Sequence, residues 1–224
     1  MDFVQVPRSL IMEKSISDKR VLVYLVITFS KWNGERIGEL TEMCGYSSFN
    51  RHQGSAGQQI KEVTNHLICR SYLSIKNASV HLATCRECFG VIRLDEFQRI
   101  MDVRNSMAVE SHVNHAHMLL TLSTIRCHMS HSSSAPQIYS DLLKRISEHI
   151  GISVRNISSC IRALEDLEII HSEELPRYKD RNGRWHSNVR IFVNRQPLWD
   201  TAHTYDWQTE TKRGINMILA NQLC

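Results

Sequence analysis

The sequence predicts a mainly helical α+β protein: two winged helix-turn-helix modules in tandem, each with a small antiparallel β-wing. Three observations predict it. From Ser140 to Asn194 the pattern runs helix, glycine turn, helix, then two strands joined by a basic loop. The first half repeats helix, helix, turn, helix, strand. Asn182-Gly183, a strong tight-turn signal, falls between the last two strand-like runs.

The elements follow in chain order. Ser17 is placed to cap a helix running through Ser30, with Asp18, Lys19 and Arg20 as its polar first turn. Val21 to Ile27 is apolar throughout, so periodicity is weak; a buried helix is the better reading and a strand the competing one. Arg36 to Cys44 fits a short helix with Ile37, Leu40 and Met43 at threefold spacing, ended by Gly45. The turn from Tyr46 to Gly54 is long, whereas an ordinary helix-turn-helix needs about three or four residues. It carries Asn50, Arg51 and His52, read either as an extra DNA-contacting arm or as a plain connector. Ser55 to Cys69 gives a longer helix with Ile60, Val63, Leu67 and Ile68 on one face; Lys61 is a weaker groove candidate. Tyr72, Leu73 and Ile75 read as the strand after it. Val91 to Leu94 is strand-like and Asp95 to Val103 helix-like.

The boundary between halves is placed between Val103 and Glu110. That gives an N-terminal winged-helix-like domain over 1–105, a C-terminal winged helix-turn-helix over 106–195 and a tail over 196–224. The tail carries Trp199, Tyr205 and Trp207 and reads as a docking helix or a homodimer contact. Glu110 to Met129 should form the first helix of the second module, burying Met118, Leu119, Leu122 and Ile125. Tyr139, Leu142, Leu143, Ile146 and Ile150 recur at helical spacing. Gly151 follows, the residue that tolerates a left-handed helix end. Ile152 is then a core plug and Ser153 an N-cap. The next helix buries Ile157, Ile161, Leu164 and Leu167. Its other face offers Ser153, Val154, Arg155, Asn156, Ser158, Ser159 and Arg162, short or hydrogen-bonding groups of the kind a recognition helix turns to base edges.

Glu168 to Leu175 and Trp185 to Asn194 are read as the wing strands. Between Arg177 and Arg195 stand six Arg or Lys and one acid, Asp180. Arg177, Lys179, Arg181 and Arg184 crowd the tip, where cations suit phosphate or minor-groove contact. Glu165 to Glu174 holds five acids and no Arg or Lys, so charge is segregated within the module.

Composition narrows the class. A net charge of +4 is compatible with a nucleic-acid partner and does not by itself indicate one. No 18-residue apolar run is present, so no membrane helix is expected. Met1-Asp2-Phe3 lacks the basic-then-apolar layout of a signal peptide, which makes a cytoplasmic location the expectation. Cys85-Arg-Glu-Cys88 is half of a zinc site by spacing, and His112, His115, His117, Cys127, His128 and His131 are the candidates for the rest. No second CxxC accompanies it, so no metal is expected. No phosphate loop, nucleophile elbow or His-Glu-x-x-His occurs, so neither catalysis nor a cofactor is expected.

Phe3-Val-Gln-Val-Pro-Arg-Ser-Leu10, the apolar run after Ser17-Asp-Lys-Arg20, and Cys44-Gly-Tyr46 before an Asn/Arg-rich loop carry a family resemblance. Together they resemble the opening of tandem winged-helix replication initiators from plasmids and mobile elements of Gram-positive bacteria. In that family a short strand and a proline precede the apolar first helix of a winged-helix domain. The resemblance implies origin recognition on double-stranded DNA and recruitment of host replication proteins. Two other functions use the same surface: a winged-helix transcriptional regulator, and a scaffold whose winged helices bind protein.

Overall fold

The structure is a computed structural model that describes residues 2–47, 54–77, 79–82, 88–103, 113–127, 137–139, 143–174, 178–179, 183, 185–186, 190–194 and 212. It is mostly helical with small antiparallel sheets, an α+β fold. The proposed boundary, the arm residues Asn50, Arg51 and His52, and nearly all of the tail lie outside the described residues.

The first half opens with β1 (Phe3–Pro7), which passes directly into the short helix α1 (Arg8–Met12). α2 follows over Arg20–Ser30. It starts later than the Ser17 cap predicts: the Ser17 carbonyl accepts from Arg20 N, while its Oγ takes the Lys19 N–H. Every residue from Arg20 to Thr28 is buried, so the helix reading of the apolar run holds and its weak periodicity is explained. Arg20 is no exposed first-turn residue but a buried cation. α3 (Ile37–Met43) is closed by Gly45 at φ 78°, whose N–H reaches Glu42 O while Tyr46 N reaches Thr41 O. That pair of bonds is the Schellman closure.

α4 (Gly54–Cys69) buries Ile60, Val63 and Leu67 but leaves Ile68 at 41% exposure, because Ile68 falls one residue beyond the stripe that faces α2 and α3. β2 (Leu73–Lys76) and β3 (Ser79–Leu82) form a two-stranded antiparallel hairpin. β4 (Phe89–Arg93) returns to pair antiparallel with β1, Val4 opposite Ile92 and Val6 opposite Gly90. α5 (Leu94–Asp102) follows at once.

α6 (His115–Cys127) is the centre of the molecule. Sequence spacing predicts one buried face and a start at Glu110, but Val113 and Asn114 are not helical and all residues from Met118 to Cys127 are buried. The reason is packing on both sides: α1, α2, β4 and α5 from the first half, α7 and α8 from the second. Those two are α7 (Leu143–Ile150) and α8 (Val154–Asp166). Tyr139, expected on the α7 face, instead ends β5 (Gln137–Tyr139). β6 (Ile170–Glu174) and β9 (Arg190–Asn194) complete a three-stranded antiparallel sheet in the order β5-β9-β6. Between them β7 (Tyr178–Lys179) pairs with β8 (Trp185–His186).

The helix-to-strand corner is built alike in both halves. After α4, Ser71 takes φ 58° with Ser71 N bonded to Ile68 O and Tyr72 N to Leu67 O. After α8, Glu168 takes φ 54° with Glu168 N bonded to Glu165 O and Ile169 N to Leu164 O. In each case the strand begins two residues after the left-handed one, and a buried leucine (Leu67, Leu164) accepts the longer bond.

Polar side chains of one half cap helix ends of the other. Arg20 Nε donates to Leu10 O at 3.0 Å and Nη2 to Ile11 O at 2.7 Å; Nη2 also lies 3.5 Å from Ile150 O at the end of α7. Burial lowers this guanidinium to about 10, still charged at neutral pH. Lys14 Nζ donates to Glu148 O, and Arg99 Nη1 to Leu167 O at 2.7 Å. His115 Nε2 bonds Cys44 O at 2.8 Å. His117 Nε2 meets Asp18 Oδ2 at 2.5 Å.

The last contact makes stability pH-dependent. The hydrogen bond from His117, and then the nearby Lys19 charge, hold the Asp18 carboxyl well below its ordinary value of 3.8. A carboxyl lowered on folding stabilises above its unfolded pKa and loses that contribution as pH falls through the folded one. Stability should therefore drop below about pH 4 by an increment that Asp18→Asn lacks. Denaturant titrations of both proteins at neutral pH and at about pH 3 measure it; parallel losses in the two would refute the role of Asp18.

Candidate nucleic-acid interface

The second half assembles its outer surface from short-range signals. α7 ends where Gly151 takes φ 76° and its N–H bonds Ser147 O; a side chain there would strain the backbone. Ile152 is buried between the helices. Ser153 then caps α8 as predicted, its Oγ accepting from Asn156 N at 3.3 Å. Ile157, Cys160, Ile161 and Leu164 bury the inner face of α8, which packs on α6 and α7.

The outer face keeps what the sequence promised for it. Ser153, Arg155, Asn156 and Arg162 are exposed, Ser158 and Ser159 half-buried. From Val154 to Arg162 this face has no acid. Ser159 is the weakest of the group, because its Oγ bonds back to Arg155 O at 3.2 Å. Glu165 does not oppose the cations: its Oε1 turns toward β6, accepting from Ser172 N at 2.8 Å and from Ser172 Oγ at 2.7 Å. The first acid exposed on α8 is Asp166, at its last turn.

Val154, already placed on this face by its spacing, is 41% exposed there, beside Arg155 at the start of α8. Lys144, outside the predicted set, is exposed in the first turn of α7. A single lysine on an otherwise amphipathic helix was the only sequence signal for it.

Between β7 and β8, Gly183 has φ 74°, consistent with the tight turn expected of Asn182-Gly183. Lys179 is placed by its backbone in β7, opposite Trp185. Arg177, Arg181 and Arg184 lie outside the described residues. β6 meets β9 with Glu174 opposite Arg190, which brings the acidic run beside the basic one.

The first half differs. The exposed face of α4 carries Gln58, Lys61, Glu62 and Asn65, and Gln58 Nε2 donates to Glu62 Oε1 at 2.8 Å. Its charge is balanced, whereas the stretch of α8 from Val154 to Arg162 carries two arginines and no acid.

Of the CxxC pair, Cys88 is exposed and Cys85 lies outside the described residues, as do His112, His128 and His131. His115 and His117 are turned to Cys44 O and Asp18. Among the described residues no three metal-ligating side chains converge. Burial pushes the thiols of Cys44 and Cys160 up to about 12, so these two stay protonated core groups. No helix of the described residues is long and apolar enough to cross a membrane.

Comparison of the chain with protein-family models, with curated proteins and with solved structures gives no match.

Proposed function

We propose that this chain is a tandem winged-helix protein that reads double-stranded DNA through α8, as a replication initiator recognising origin repeats. The outer face of α8 carries the proposal: Arg155, Asn156 and Arg162 exposed on a capped helix, with the nearest acid turned away. The order α6, β5, α7, α8, β6, β9, with the β7–β8 hairpin between the last two, supports the winged-helix assignment. The repeated corner after α4 supports a second module of the same descent, with two paired strands, β2 and β3, among the described residues.

In this arrangement Arg155 pairs bidentately with guanine and Asn156 with adenine, while Val154 suits a thymine methyl. Lys144, Arg177, Lys179, Arg181 and Arg184 hold phosphates and fix the register. The replication role rests on the resemblance of the opening residues; host replication proteins are then the second class of partner.

Selection of bound sequences from random duplex DNA tests this at physiological salt. Arg155→Ala should cost about 1–3 kcal/mol on the selected site and blur one base position. Unchanged affinity and motif would remove α8 as the reader. Direct repeats in the selected site favour an initiator and a single palindrome a regulator. Absence of enrichment with salt-insensitive partner binding favours the protein scaffold.

A further inference from the structure

Helix C-termini leave carbonyls without intrahelical partners, and cations there gain from both the hydrogen bond and the helix dipole. In this protein the carbonyls at the ends of the second half's helix pair are capped from the first half. Lys14 reaches Glu148 O, Arg20 approaches Ile150 O, and Arg99 reaches Leu167 O. The last is the best defined. Leu167 is the C-cap of α8, immediately before the left-handed Glu168 and the entry to β6. Asp95, one turn back on α5, holds the same guanidinium through Nη2 at 3.4 Å and is itself bound by Arg93 Nε at 3.0 Å. Arg99 is therefore aimed, and it grips the end of α8 remote from Arg155.

We infer that Arg99 is a positioning residue for sequence reading: from α5 it clamps the far end of α8 and so fixes the angle at which Arg155 and Asn156 meet the groove. This rests on the DNA-reading proposal. The grip matters because base contacts are angular. A bidentate pair tolerates little rotation, whereas phosphate contacts survive it. Loosening the clamp therefore lowers selectivity without lowering general attraction to DNA. Arg20 is unsuited to a test because it is buried in the core, whereas the Arg99 side chain is 35% exposed.

The experiment uses the full chain as wild type, Arg99→Ala and Arg99→Lys. Each is titrated against the selected duplex and a random duplex of equal length over a range of salt. Arg99→Ala should lose about tenfold in affinity for the selected site, the worth of one charge-assisted hydrogen bond. Its affinity for random duplex and its salt slope should stay as in wild type, and Arg99→Lys should recover part of the loss. Equal losses on both duplexes would mean a merely structural role and overturn the inference. A salt slope flatter by about one would make Arg99 a phosphate contact and overturn it too. A selective wild type indistinguishable from Arg99→Ala would sink the clamp and leave the DNA reading standing. A wild type without preference for any duplex would remove both.

Discussion

Arg126→Met should destabilise the fold by about 3–5 kcal/mol, the cost of leaving one partner of a buried ion pair uncompensated. Arg126 is 1% exposed and Glu96 2%. The guanidinium grips the carboxylate with two parallel bonds, Nη1 to Oε2 and Nη2 to Oε1, each 2.6 Å, and Nη1 also donates to Val91 O at 2.9 Å. One side chain thus ties the end of α6 to β4 and to the first turn of α5. Without it Glu96 keeps a single described donor, Arg93 N at 3.0 Å. Glu96→Leu added to Arg126→Met should recover much of the loss, since a well-packed apolar pair often replaces a buried ion pair at little cost. Recovery should stop short of wild type by roughly 1 kcal/mol, because Glu96 also caps α5. Urea denaturation of Arg126→Met and of the double variant measures both values. A single variant within ~1 kcal/mol of wild type would mean the pair is hydrated rather than buried.

Gly90→Ala is expected to cost about 3 kcal/mol, at the upper end for overpacking. A Cβ at Gly90 would sit 2.5 Å from Ser123 O and 3.1 Å from Ser123 C and Cα. These are backbone atoms of α6, so no rotamer change can clear the space; the strand and the helix must separate. The separation would also pull on the Arg126 bond to Val91 O, one residue along β4. The Gly90→Ala and Arg126→Met losses should therefore combine to less than their sum. A melting temperature unchanged by Gly90→Ala would show that α6 does not lie directly on β4.

The sequence was most legible where the signals are local. Gly151, Ile152 and Ser153 define a helix end, a core plug and a cap within three residues, and all three take those roles. The exposed face of α8 was readable for the same reason: helical period alone separates Arg155, Asn156 and Arg162 from Ile157, Ile161 and Leu164. Signals failed where tertiary partners decide. β1 pairs with β4 across more than eighty residues of chain, and no local pattern encodes such a partner. Tyr139 fits the α7 period but is drawn into β5 by pairing with Arg190 on β9. α6 was expected to bury Met118, Leu119, Leu122 and Ile125, yet Thr121, Ser123, Thr124 and Arg126 are buried as well. Thr124 is satisfied by its own helix at Leu120 O and Arg126 by Glu96, so these two tolerate burial on the second side. The ties from Lys14, Arg20 and Arg99 to second-half carbonyls were invisible because a cation bound to a carbonyl looks, in sequence, like any surface cation.

The doubly covered α6 also bears on how such a chain can diversify. Tandem modules joined by a loose linker can be shuffled, each bringing its own interior. Here the core runs without interruption from Val4 through Leu119 and Leu122 to Phe192. A recombinant joining the first half of one relative to the second half of another would have to match α6 on both flanks at once. Most such chimeras would inherit cavities or clashes along a helix that has no free side to absorb them. Outward-facing positions such as Arg155 and Asn156 are exposed and carry no packing duty, so point substitution there perturbs the fold far less than exchange of halves.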